Sequence, residues 1–88
     1  MAVTWNINST SGLGSGYKDK VKNMANSHGY GSLYEATRNN DYGGNHCWAC
    51  KTKKYLGLKK YRFTVYTRKD SVYGTEEGAG YGPDVKEI

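Results

Sequence analysis

The sequence is short of the residues that usually make a core. Leu, Ile, Val and Phe together number twelve of 88 residues, and phenylalanine occurs once, well below the usual globular share. A chain of this length is expected to form one domain, because two cores would each be too small to offset their conformational entropy. Nine tyrosines must then supply much of the buried area. Tyrosine has an apolar ring and a polar tip, which suits it equally to the edge of a small core and to a contact surface. No apolar run approaches the length of a membrane span, so no membrane partner is expected. The first residues, MAVTWNINSTSGLG, carry neither the charged nor the apolar region of a signal peptide, and a soluble cytoplasmic protein is the expectation.

Cysteine and histidine are equally sparse. Cys47 and Cys50 form one CxxC within HCWAC, with no second pair in the chain. A closed zinc site needs four ligands, so His28 or His46 and a carboxylate such as Asp41 would have to complete it. A thioredoxin-like centre would need the motif to open a helix after a strand, and here it lies in a strand-like stretch. Two small thiols packed beside Trp48 are the expectation, with no metal and no cofactor. His28 and His46, with Glu35, Arg38 and the lysines, are raw material for a metal-independent ribonuclease, which needs an acid and a base flanking one phosphodiester. That reading requires the two imidazoles to meet. It ranks third, and no catalytic residue is assigned.

Cations, in contrast, are plentiful and segregated. Residues 18–69 hold twelve Lys/Arg against three Asp/Glu, a net +9, while residues 70–88 hold one lysine against five acids, a net −4. Such a field steers toward nucleic acid or an acidic protein surface.

The pattern along the chain gives an α+β expectation. Val3, Trp5 and Ile7 alternate with polar residues and predict an N-terminal strand. The run STSGLGSG, residues 9–16, reads as a flexible connector whose amides could at most touch a phosphate. Tyr17, Val21, Met24, Ala25 and His28 share one helical stripe, predicting a helix over about 16–28 that stops at Gly29. Ser32 and Glu35 form a capping box, and Tyr30, Leu33, Tyr34 and Thr37 share a helical face, which predicts a second short helix. Turn formers fill residues 39–45. Strands are then expected over 46–55 and 58–68, joined through Gly57 as an antiparallel hairpin, with a further short strand at Val72 and Tyr73. Residues 75–88 read as a loosely held acidic tail. The whole is one small domain: an N-terminal strand, one or two short helices, and an antiparallel sheet of two or three strands.

The hairpin carries the functional signal. Tyr61, Phe63 and Val65 alternate with Lys60, Arg62, Thr64, Tyr66 and Arg68, so one face is apolar and the other basic. Lys51, Lys53, Lys54, Lys59, Lys60, Arg62, Arg68 and Lys69 supply charges for phosphates, and Tyr55 and Tyr66 supply rings on which bases can stack. The first expectation is nucleic-acid binding through the backbone, with RNA or single-stranded DNA favoured and little base specificity. In size, glycine and tyrosine content the chain also resembles small proteins of phages and mobile elements, many of which bind and block host machinery. That resemblance is compositional and transfers no residues; it implies an inhibitor that docks on an acidic host protein surface as the alternative.

Overall fold

The computed structural model of the protein describes residues 2–88. Its elements are β1 (Thr4–Asn6), α1 (Tyr17–Ser27), β2 (Ser32–Arg38), β3 (His46–Lys54), β4 (Lys59–Lys69), β5 (Glu76–Tyr81) and β6 (Lys86–Glu87). The six strands form a single mixed sheet in the order β1-β2-β3-β4-β5, with β6 also on β4. This overturns the expected architecture: the sheet is larger than two or three strands, it contains a parallel pair, and among the described residues strand predominates, with α1 the one helix. β1 runs parallel to β2, with α1 as the crossover between them, and the remaining pairs are antiparallel. Among the described residues no helix is long and apolar enough to cross a membrane.

The second helix is the clearest correction. Residues 32–38 are β2, and Leu33 and Ala36 point into the core although they are three apart. A bulge between Leu33 and Glu35 shifts the register and produces that spacing, which imitates a helical repeat. A short isolated helix is marginal in water. As a strand, the segment pairs its backbone on both sides, with β1 and with β3.

α1 lies on one face of the sheet, burying Val21 and Ala25. Its N-cap is Gly16 in the left-handed region, and no side chain caps it. Beneath it Trp48 is fully buried, stacked on Tyr17 with ring centroids 5.9 Å apart and edge-on to Trp5 at 6.0 Å. Cys50, Phe63, Val65, Leu33 and Ala36 complete the core. Truncating Trp48 to alanine would cost about 3–5 kcal/mol, a large share of the stability of a domain this small.

Residues 75–88, expected to hang loosely, follow the free edge of β4 as β5 and β6. Glu76 is their anchor and is 2% exposed. Its carboxylate accepts hydrogen bonds from Thr67 Oγ1 at 2.7 Å and from the Gly14 amide at 2.6 Å, and it pairs with His46 Nδ1. Trp48 Nε1 donates to the same threonine oxygen at 2.8 Å. Gly14 has to be glycine, because a Cβ there would lie 2.4 Å from the Glu76 backbone nitrogen. The supposedly flexible connector is thus pinned. Ser15 N–H donates to Gly74 O at 2.9 Å and Glu76 N–H to Ser15 O at 3.0 Å.

The β3–β4 turn holds the least comfortable backbone. Tyr55, Leu56 and Gly57 all have positive φ, at 54°, 59° and 83°, and Leu58 N–H donates back to Tyr55 O at 3.2 Å. Leu56 therefore occupies a turn position normally given to Asn, Asp or Gly. Each non-glycine residue held there costs about 1–2 kcal/mol.

Candidate nucleic-acid interface

Strand alternation decides which side chains share a face. In β3 and β4 the core takes His46, Trp48, Cys50 and Thr52 opposite Thr67, Val65, Phe63 and Tyr61. The other parity, Lys51 and Lys53 with Lys60, Arg62, Tyr66 and Arg68, lies on the face away from α1. No helix packs on that face among the described residues, although Cys47, which belongs to it, is itself buried.

Six of the ten residues singled out in the sequence therefore share one open surface. The others do not. Lys54 and Lys59 take the opposite parity at the end of the hairpin, where Lys54 Nζ donates to Gly29 O at 3.1 Å. Their ammonium groups flank the exposed Tyr55 ring at 5.2 and 5.8 Å. Lys69 closes the far end of β4 opposite Glu76.

Two contributors to the open face were not singled out. Tyr34 lies beneath Lys53, whose Nζ is 4.5 Å from the ring centroid; reading β2 as a helix hid it. Lys86, placed in the acidic stretch, stands opposite Arg62. Asn39, Arg62, Thr64, Asp84 and Lys86 border a groove of about 350 Å³ on this face.

The register places like charges directly opposite one another. Lys53 faces Lys60, Lys51 faces Arg62, Lys86 also faces Arg62, and at the tip Lys54 faces Lys59. Cross-strand cation pairs destabilise a sheet, and an acid opposite each base would stabilise it. Compensation is partial: Glu35 binds Lys51 Nζ at 2.9 Å and holds that ammonium's pKa above its ordinary value, and Glu77 stands opposite Arg68. Lys53, Lys60, Arg62 and Lys86 have no carboxylate partner among the described residues.

No family model matches the chain. No curated protein and no solved structure matches it either.

The remaining candidate chemistry is dispersed. Cys47 and Cys50 are three apart on a strand, so one sits on the open side opposite Tyr66 and the other in the core opposite Phe63. They cannot share a metal ion or a disulfide in this geometry. Burial pushes the Cys50 thiol up to about 12 and raises Cys47 as well, with Asp41 adding to the second shift. The two imidazoles are held apart. His28 stacks on Tyr81 at 4.1 Å and packs against Phe63 at 4.8 Å, whereas His46 is committed to Glu76. Phe63 and Thr67, their respective neighbours on β4, are about 13 Å apart along the strand. The Gly14 amide, considered for a phosphate, is already used by the protein's own carboxylate.

Proposed function

We propose that the protein binds nucleic acid through the phosphate backbone, RNA or single strands in preference to duplex DNA, on the open face of its sheet. Lys53, Lys60, Arg62 and Lys86 act as charge contacts, and Tyr34 and Tyr66 offer rings at the level of the strands. The observation that carries this reading is the cross-strand opposition of cations without matching acids. Residues chosen for stability alone would not be arranged that way, and local conflict of this kind is expected at functional sites. A phosphate lying between the two rows converts the repulsion into attraction.

The reading is tested by fluorescence anisotropy with a single-stranded RNA oligonucleotide across a salt series. Neutralising about three to four phosphates predicts a slope of log K against log salt of about −2 to −3. Reversal of Arg62 to glutamate should flatten the slope by about one phosphate contact. Absence of binding to RNA and single-stranded DNA at low salt would remove this reading and leave an acidic protein surface as the partner class.

A further inference from the structure

The hairpin tip is apolar where exposure argues for polarity. Tyr55 is 62% exposed, Leu58 is 85% exposed and Leu56 projects fully into solvent. Leu56 is held there by a backbone conformation that Asn or Gly would adopt with less strain,. Neither the core nor the turn requires a leucine. The tip is also ringed by cations, with Lys53 and Lys60 on the open face and Lys54 and Lys59 on the other.

Beside it opens a groove of about 800 Å³ to which Lys22, Asn26, Lys53 and Lys60 contribute along with Tyr55 and Leu56. That volume is in the range of small-molecule sites. The Asn26 amide is oriented by the Leu33 N–H, which donates to Oδ1 at 2.8 Å, so its Nδ2 hydrogens remain for a ligand.

An apolar wedge flanked by phosphate-binding cations is the arrangement by which proteins part stacked bases. We infer that Leu56 and Tyr55 insert into a nucleic-acid stack at a helix defect, and that the adjoining groove receives the unpaired nucleotide. Lys22, Lys53 and Lys60 hold its phosphates, and the Asn26 amide donates to an acceptor on the base. The preferred ligand is then a helix interrupted by a bulged nucleotide, for which part of the unstacking is already done. This inference rests on the nucleic-acid reading above and specifies the ligand of that surface.

The test compares three fluorescently labelled RNAs with the whole chain at low salt: a single strand, an uninterrupted duplex, and the same duplex with one unpaired 2-aminopurine. The bulged duplex is expected to bind about tenfold tighter than the uninterrupted one, on the scale of one base–side-chain stack, with a change in 2-aminopurine emission. Leu56→Asn keeps the turn, so its melting temperature should not fall. It should nevertheless erase the preference and the emission change, with single-strand affinity altered less than about twofold. Equal affinity of the wild type for both duplexes, or a preference that survives Leu56→Asn, overturns the wedge while leaving the phosphate-binding reading intact. Failure to bind any of the three RNAs overturns both. Leu56-dependent binding to anionic phosphatidylserine vesicles, with no effect of the substitution on bulged RNA, would instead assign the tip to a membrane surface.

Discussion

Reversing one charge at the Lys53–Lys60 pair should make the protein more stable and a worse binder at the same time. The two lysines are directly opposed across β3 and β4, and Arg62 lies two residues further along the same face. A directly opposed pair is worth about 0.2–1 kcal/mol, in either sign. Lys60→Glu removes a repulsion and adds an attraction, a combined gain of about 1 kcal/mol. For a domain of this size that corresponds to a rise in Tm of about 4–8 °C. The gain is electrostatic and exposed, so it must fade with salt: at about 1 M the Debye length is about 3 Å, against about 30 Å at 0.01 M. Thermal unfolding followed by circular dichroism at those two ionic strengths measures it, and RNA anisotropy at low salt supplies the other half. The expected result is a higher Tm at low salt only, with RNA affinity reduced several-fold. A lower Tm at low salt, or a gain equal at both ionic strengths, would refute the claim that the open face holds unrelieved repulsion.

Two further outcomes follow from buried groups. Glu76→Ala leaves His46, Thr67 and the Gly14 amide without their shared acceptor and should destabilise the fold by about 3–5 kcal/mol, measured as a fall in the urea midpoint at constant slope; a loss below about 1 kcal/mol would show that the network is dispensable. Cys50 keeps its proton in the folded protein up to about pH 12, whereas the unfolded thiol releases it near its ordinary value of 9.0, so stability falls as pH climbs between those values. The loss is about 1.4 kcal/mol per pH unit for one such group. Cys50→Ala should flatten that alkaline decline relative to the wild type, and an unchanged decline would assign it to other groups.

The hairpin and the helix are legible in the sequence because their periodicities are long and uninterrupted: Tyr61 to Arg68 alternates strictly, and Val21 and Ala25 repeat at helical spacing. β2 is not, since its bulge sets Leu33 and Ala36 three apart and a capping box happens to precede them. β5 contains Gly78 and Gly80 among acidic residues, a composition that reads as a tail. Its strand state comes from tertiary partners, chiefly the burial of Glu76 against residues 14, 46 and 67. At the candidate site the basic face of β4 could be read directly. The count of eight cations could not be resolved into two faces without the β3–β4 register, and neither could the opposition of lysine to lysine. Tyr34 and Lys86 join the surface only through strand order.

The rims of the sheet limit how the molecule can meet others of its kind. One rim is β1, three residues long; the other is β5, weakened by glycines and separated from β6 by the irregular stretch around Pro83. Neither offers a long regular row of backbone donors and acceptors on which another chain could extend the sheet. Association by strand addition is thereby discouraged even at high concentration. Contact is left to side chains on the open face and at the tip, where a single substitution can retune recognition without touching the backbone ladder.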